Sequence, residues 1–186
     1  MRLATFLSPG SSTPRAGEVR DGQVVAFADE RFTVLNRLCD PGAPAADGPS
    51  FALADVTLLA PVPGPRAIFG IGLNYADHIA ETGGTPPEAP LVFMKLPASV
   101  VAPGASVRCP AVVKRLDYEG ELAVVMGAER QVAGYAVAND PRPATYKDAR
   151  RSGRAPRAPT VSALTAPGSP PPMRSPTRTL WGCAHG

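Results

Sequence analysis

The segment LDYEGELAVVMG, residues 116–127, places a carboxylate at every second position of an otherwise apolar run. The three acids are Asp117, Glu119 and Glu121. Successive side chains of a β-strand point to opposite faces, so this alternation predicts a half-buried strand. The acids share one face, and Leu116, Tyr118 and Gly120 form the other, so that one of the two faces is expected in the core.

Carboxylates at the edge of a core repel one another and lose hydration, which is unfavourable unless a cation or hydrogen-bond donors compensate. Glu119 and Glu121 are two apart on the predicted strand and therefore point the same way. Such hard oxygen ligands suit Mg²⁺ or Mn²⁺. The alternative is a solvated face of an edge strand, and spacing alone leaves both interpretations open. The apolar residues 122–126 that follow are expected to be buried throughout.

Upstream, residues 1–60 predict a small β-rich module. FTVLNRL is a candidate short helix, and DPGAPAADGPS is a loop rich in Pro, Gly and Asp. Asp21-Gly22 is a strong hairpin turn signal. The predicted strands are RLATF, the two halves of GEVRDGQVVAFAD, and FALADVTLLAPV.

Residues 61–140 predict a second unit with many strands and one short helix. The helix, DHIAET, is expected to start at a capping Asp77 and to end at Gly83-Gly84. The predicted strands are AIFGIGL, PLVFMKLPASVVAPG, GELAVVMG and VAGYAVAND. Together the two units predict a mixed, β-rich α+β fold class.

Three further polar features lie in this second unit. His78 and Glu81 are three apart on the predicted helix, where a carboxylate can orient an imidazole as a general base; an ordinary surface ion pair is the alternative. Lys95 follows an apolar run, so it either meets a substrate carboxylate or extends from an edge strand to solvent. GIGLNY at 70–75 lacks the third glycine and the helix of a dinucleotide site, which argues against one.

The composition is that of an ordinary globular protein, with 44% hydrophobic and 19% charged residues among 186. No apolar run approaches the roughly 18 residues of a membrane span, and the first ten residues lack a secretory signal. Three widely spaced cysteines, Cys39, Cys109 and Cys183, argue against a disulfide framework and favour a reducing cytoplasm.

Charge divides the chain abruptly at Asp140. Residues 1–140 contain 11 basic and 15 acidic side chains, a balance of −4, whereas residues 141–186 contain eight basic and one acidic, a balance of +7. The second part also has nine of the 23 prolines and no sustained periodicity. It is therefore predicted to be a disordered, basic, Pro-rich tail with little regular structure.

Four segments together resemble the fumarylacetoacetate hydrolase family: IFGIGLNYADHIAE, PLVFMKLPASVVAPG, LDYEGELAVVMG and VAGYAVAND. The resemblance covers about residues 61–140, and the preceding module fits the variable small domain of such proteins. It implies a mixed β-roll and a cytoplasmic, Mg²⁺- or Mn²⁺-dependent enzyme acting on 2-oxo acids. The implied reactions are hydrolysis of acylpyruvates, decarboxylation of oxaloacetate, and isomerisation or decarboxylation of hydroxymuconate-type products of aromatic catabolism. Intact members of the family are expected to be homodimers.

The resemblance also implies roles for individual residues. The glutamates of its E-x-E motif bind the metal and fall on Glu119 and Glu121, and a third ligand falls on Asp140. The histidine and glutamate that act on water fall on His78 and Glu81. Lys95 matches a lysine near the substrate.

After Asp140 the family pattern stops. The expected segment x-[ST]-A-R-D is replaced by PRPAT, and a later A-K-G segment with a second lysine is absent. A shifted reading frame that begins at the third base of the Pro141 codon can encode W-x-x-A-K-G with synonymous codons. We therefore expect a truncated, frameshifted family member, and we expect this 186-residue chain to be inactive.

Two other functions are compatible with these residues. The same carboxylates could hold a metal and a 2-oxo acid without turnover, in a binding protein. The basic tail could instead contact nucleic acid, but its only aromatic residues for base stacking are Tyr146 and Trp181, so we expect neither a nucleic-acid nor a membrane partner.

Overall fold

The structure is a computed structural model that describes residues 1–40, 42–81, 83–109, 111, 113, 115–143, 160–165 and 183–184. The described secondary structure is mostly strand, with two six-residue helices and two one-turn 3₁₀ helices. The predicted β-rich fold class is confirmed. Chain contacts divide the molecule into two compact units, which are described separately.

The first unit contains residues 1–63, 124–136 and 162–180. Strand β1 lies centrally, with β2 along one edge and with β5 and β12 sharing the other. β3 and β4 extend the sheet beyond β2, and every pairing here is antiparallel. The elements are β1 (Arg2–Leu7), β2 (Arg15–Arg20), β3 (Gln23–Ala26), α1 (Val34–Cys39), β4 (Ser50–Ala52), β5 (Thr57–Leu59) and β12 (Thr160–Thr165), whose Thr160 and Val161 belong to the second unit.

Local sequence explains most of this unit. Asp21 and Gly22 both have positive φ, 46° and 77°, as a two-residue turn between β2 and β3 requires. Thr33 and Asn36 form a reciprocal capping box at the start of α1. The core is built around Phe6, Val24 and Ala26. The single strand predicted for FALADVTLLAPV is wrong, because a turn closed by the Asp55 N–H and the Ala52 carbonyl divides it into β4 and β5.

The second unit contains residues 64–123, 137–161 and 181–186, and strands β9 and β10 contribute residues to both units. β6 pairs antiparallel with β7 and parallel with β13, so the sheet is mixed. Two short strands, β8 and β11, pair antiparallel. The elements are β6 (Ile68–Gly72), α2 (Ala76–Glu81), β7 (Leu91–Lys95), β8 (Leu116–Asp117), β9 (Gly120–Met126), β10 (Val132–Asn139), β11 (Arg142–Pro143) and β13 (Cys183–Ala184).

Helix α2 occupies the predicted position, but it begins one residue earlier than expected. Asp77 lies within its first turn and is not the residue before it. An acidic residue there still interacts favourably with the helix N-terminus. Gly83, with φ of 66°, ends the helix, and the Gly84 N–H donates to the carbonyl of Ile79.

The acidic stretch is not the single strand that the alternation predicts, because the strand is interrupted after β8. Asp117 is exposed. Glu119 and Glu121 are buried, whereas Tyr118 is 82% exposed. Of the apolar residues 122–126, only Ala123 is fully buried, so the expectation of continuous burial is also wrong.

The structure describes residues 141–143, 160–165 and 183–184 of the tail that was predicted to be disordered. Its described residues include β11, β12 and β13, so regular structure is present at these three places. Residues 144–159, 166–182 and 185–186 lie outside the described part, and so do Tyr146 and Trp181. Among the described residues no helix is long and apolar enough to cross a membrane.

Candidate metal centre

The centre is built on the segment between β8 and β9, where the chain leaves the regular ladder at Glu119. The Glu119 N–H donates to the side-chain oxygen of Asn139 at 3.0 Å. The Glu119 carbonyl accepts from the Asp140 N–H at 2.8 Å. These two bonds place the end of β10 beside the acidic segment, so Asp140 lies next to a residue 21 positions earlier in the chain.

Glu119, Glu121 and Asp140 form one buried cluster. Their exposed fractions are 8%, 4% and 2%, and one carboxylate oxygen from each lies within 4.8 Å of the others. Two oxygens on opposite sides of one Mg²⁺ are about 4.2 Å apart, so the cluster has nearly the size of a single coordination sphere. The predicted convergence of these residues is confirmed, and their burial argues against the solvated-face alternative.

The donor set fits a hard divalent cation. Three carboxylate oxygens are ligands of the type that Mg²⁺ and Mn²⁺ prefer, and a site with three protein ligands leaves positions for water or substrate. Three buried negative charges also need compensation, since an isolated buried carboxylate is strongly unfavourable. Within the described residues, two basic side chains supply part of it, Lys95 and Arg142.

Lys95 reaches the cluster from β7, opposite Ile68 of β6. Its ammonium forms an ion pair with Asp140 and lies 5.6 Å from the centre of the Phe93 ring. A cation over an aromatic face is stabilised electrostatically, and more strongly when it is shielded from water. Lys95 is 4% exposed, so the alternative of an edge lysine that extends to solvent is wrong.

Arg142 is the functional candidate that sequence reasoning missed. It lies on β11 opposite Asp117, and its guanidinium forms an ion pair with Glu119. It lies after Asp140, where we recognised no family motif in the sequence, so no motif marked it. The available signal was its position two residues after Asp140, which places it beside any site that Asp140 joins.

His78 and Glu81 lie on α2, His78 half-buried and Glu81 exposed. The cluster of ligand atoms includes neither residue. The helix is nevertheless tied to the acidic strand, because the Tyr75 hydroxyl accepts a hydrogen bond from the Leu122 N–H at 3.1 Å. The preceding turn contains Leu73 in the left-handed region, with φ of 53°, a costly conformation of the kind found at functional sites.

Two family models match the chain. The model described as "Fumarylacetoacetate (FAA) hydrolase C-terminal" matches residues 67–150, and the model described as "Rv2993c-like, N-terminal" matches residues 1–61. The first match contains all six predicted site residues and continues to residue 150, ten residues past Asp140, where we expected the family pattern to stop.

Among curated proteins, the chain is 40% identical over 109 residues to Protein Rv2993c of Mycobacterium tuberculosis, covering 53% of this chain and 41% of that protein. It is 32% identical over 164 residues to the mitochondrial oxaloacetate tautomerase fahd2 of Xenopus laevis, covering 75% and 51%. The chain thus spans about half the length of the curated relatives it matches.

Among solved structures, the chain resembles a 5-carboxymethyl-2-hydroxymuconate delta-isomerase from Mycobacterium smegmatis. The TM-score is 0.64 at 27% identity, over 91% of this chain and 68% of that one. A structure from Mycobacterium abscessus, described as a putative uncharacterized protein, gives a TM-score of 0.66 at 29% identity, covering 91% and 69%. The two likenesses extend over most of the chain.

Proposed function

Because the chain belongs to the fumarylacetoacetate hydrolase family, we propose that its acidic cluster is the centre of a divalent-metal-dependent enzyme acting on 2-oxo acids. The observation that carries the proposal is the burial of Glu119, Glu121 and Asp140 around one point, with Lys95 beside them. Family relatives bear the names of a tautomerase and an isomerase. Tautomerisation, isomerisation and C–C cleavage of 2-oxo acids share an enolate-like intermediate, and one site can serve all three.

The three carboxylates would hold Mg²⁺ or Mn²⁺, which supplies a Lewis acid that polarises the 2-oxo group of the substrate. Glu119 would contribute a ligand from the segment just before β9, Glu121 one from β9 itself, and Asp140 one from the position after β10. Their burial excludes water from one side of the site, which strengthens electrostatic interactions there. The predicted metal roles of these residues rest on this fit.

Lys95 would bind a carboxylate or developing enolate oxygen of the substrate. Its ammonium is buried, so its charge is poorly screened, and the ion pair with Asp140 keeps it at the edge of the cluster. A substrate oxygen placed there gains a charge-assisted hydrogen bond. This preorganised charge is the kind of group that stabilises negative charge in a transition state.

His78 and Glu81 would move the proton or activate water, as the family resemblance implies. The i, i+3 spacing puts both side chains on the same face of α2. The bond between Tyr75 and Leu122 fixes the start of that helix against the strand that carries Glu121. A general base needs this kind of rigid support, because proton transfer requires hydrogen-bond reach to the substrate.

Metal binding by the full chain tests the proposal. We expect Mn²⁺ titration followed by electron paramagnetic resonance to show one site, and oxalate, a planar mimic of an enolised 2-oxo acid, to bind only when Mn²⁺ is present. Glu121→Gln should weaken Mn²⁺ binding by on the order of tenfold or more, since even outer-shell changes cost 10–100-fold at metal sites. Asp117→Asn is the matched control, because Asp117 lies on the same segment but is exposed.

Equal Mn²⁺ binding by the Glu121→Gln and Asp117→Asn variants would contradict the metal site. Turnover is assayed with oxaloacetate and acylpyruvates, with and without EDTA, on this chain and on the frame-restored protein. Metal-dependent oxalate binding in a frame-restored protein that turns over none of these substrates would point to a binding protein.

A further inference from the structure

The first unit contains a second group of charges, far from the acidic cluster in sequence, around a cavity of about 350 Å³. Three arginines line it: Arg2 on β1, Arg20 on β2 and Arg37 on α1. Glu18 is the one acidic residue in the lining. The volume lies within the range of sites for small molecules.

The cavity has three basic side chains although residues 1–63 as a whole have a negative net charge. Residues 1–63 contain five arginines, no lysine and seven acidic residues, a balance of −2. Two of the arginines are paired elsewhere, the exposed Arg31 with Asp29 at 3.0 Å and the largely buried Arg15 with Glu30 at 3.7 Å. The other three all line the same cavity, and Glu18 is the only carboxylate that they share there.

Glu18 organises two of these arginines. It is buried, and its carboxylate accepts from Arg20 Nε at 3.1 Å and from Arg37 Nε at 3.3 Å. Burial raises its pKa, but the hydrogen bonds from the two guanidiniums outweigh burial and lower it below its ordinary value. Glu18 is therefore ionised at neutral pH, and its carboxylate holds the Arg20 and Arg37 side chains in defined positions. An anion that binds these two arginines would therefore remove little further conformational entropy from them.

The side chains that line this cavity carry an excess of positive charge. Three guanidiniums against one carboxylate give a local charge of +2. Arg2 and the outer nitrogens of Arg37 make no ion pair with any other side chain in the described part of the chain. Guanidinium donors are planar and match carboxylate and phosphate oxygens in pairs.

We propose that this cavity binds a small dianion, with Arg2, Arg20 and Arg37 as its ligands and Glu18 as the internal counter-ion that positions Arg20 and Arg37. The shared chemistry is two negative charges on clustered oxygens, as in inorganic phosphate or a short dicarboxylate. The site is independent of the proposed metal chemistry, because none of its residues belongs to the acidic cluster.

Nuclear magnetic resonance titration of the full chain tests the site directly. Phosphate and succinate are added separately at constant ionic strength, with acetate as the monoanion control. We expect saturable shifts centred on the backbone amides of Val19, Arg20, Arg37 and Ala45, and only weak shifts with acetate. The dianion that shifts them at lower concentration identifies which class of ligand the cavity prefers.

Variants decide whether the arginines are responsible. Arg2→Gln should weaken dianion binding roughly tenfold, the value of one charge-assisted hydrogen bond. Arg37→Gln should do the same, and Arg2, which is exposed, keeps the test valid if the Arg37 variant unfolds. Arg31→Gln is the matched control, since Arg31 is paired to Asp29 outside the cavity. Unchanged binding in the Arg2→Gln variant, or shifts that are scattered or absent in the parent chain, would overturn the proposal.

Discussion

Gly70 shows how a single position controls the candidate site. A Cβ atom added at Gly70 would overlap the ring of Phe93, which lies opposite on β7. That ring in turn lies under the ammonium of Lys95, and Lys95 pairs with Asp140. The first glycine of GIGLNY therefore makes room for an aromatic ring, which gives it a structural reason unrelated to nucleotide binding.

Gly70→Ala should displace the Phe93 ring and reduce the free energy of unfolding by about 1–3 kcal/mol, the usual cost of overpacking. Gly72→Ala is the matched control on the same strand, because its Cβ would meet Leu91 at 3.5 Å, an ordinary contact. Urea denaturation of both variants measures the difference. Equal stability of the two variants would show that the ring moves without cost.

Arg142 forms an ion pair with Glu119, one of the three proposed metal ligands. The guanidinium and a bound cation would compete for the negative charge of Glu119, so Arg142→Gln should raise Mn²⁺ affinity by about threefold to tenfold, a charge-assisted bond discounted for partial exposure. Arg115→Gln is the control, since Arg115 is exposed just before β8. Weaker Mn²⁺ binding by Arg142→Gln would mean instead that the arginine holds Glu119 in place for the metal.

At the scale of elements, β2 and α1 are joined by the buried carboxylate of Glu18. It faces Arg20 on its own strand, Arg37 on the helix, and the backbone N–H of Ala46. Burial opposes ionisation of Glu18, and these donors favour it, with the net result that its pKa lies below 4.5. The ionised carboxylate therefore contributes to the stability of this unit.

The sign of the pH dependence follows from the lowered pKa. The contribution of Glu18 is fully present above its unfolded pKa and is lost as pH falls through the folded value, so stability should decline below about pH 4.5. Glu18→Gln should flatten this decline, whereas Asp47→Asn, at an exposed acid, should leave it unchanged. Unfolding free energies measured between pH 3 and 6 give the comparison. An identical acid limb in the parent and in Glu18→Gln would contradict the assignment.

The edge strand β7 exposes apolar side chains to solvent. Its outward residues Val92 and Met94 are 59% and 67% exposed, next to Phe69 on β6. Apolar residues on a strand edge favour association with other strands. Met94→Lys should therefore reduce concentration-dependent light scattering, and Arg66→Lys, a charge-preserving change at an exposed residue, should not. Equal scattering from both variants would exclude β7 as the associating surface.

At the scale of the whole molecule, the change of net charge after Asp140, from −4 to +7, motivates the hypothesis of an altered reading frame. We expect the 186-residue chain to lack metal-dependent turnover of oxaloacetate and acylpyruvates, because the second lysine of the family pattern is absent. Loss of one such contact costs about 10²–10³ in rate. The frame-restored protein should be active, and Glu119→Ala or His78→Ala should abolish that activity. EDTA-sensitive turnover by the 186-residue chain would contradict the frameshift argument.

The sequence by itself predicted several of the elements and the three candidate metal ligands. Local alternation and turn chemistry located the β2–β3 hairpin at Asp21-Gly22, and FTVLNRL was recognised as a candidate short helix. The E-x-E spacing, together with the family resemblance, selected Glu119, Glu121 and Asp140 before any distance was known. These features are encoded by near neighbours in the chain, and so they can be recognised without the fold.

Only the tertiary structure decided which face of the acidic strand is buried. Alternation divides a strand into two faces, but whichever side receives the rest of the chain becomes the interior. Here Asp140 and Lys95 approach the carboxylates, so Glu119 and Glu121 are buried and Tyr118 is exposed. For the same reason, the sequence did not reveal that Arg142 pairs with Glu119 or that Gly70 leaves space for the Phe93 ring. Each joins residues about 20 positions apart, and the free energy of such contacts depends on the folded neighbourhood, which local sequence does not specify.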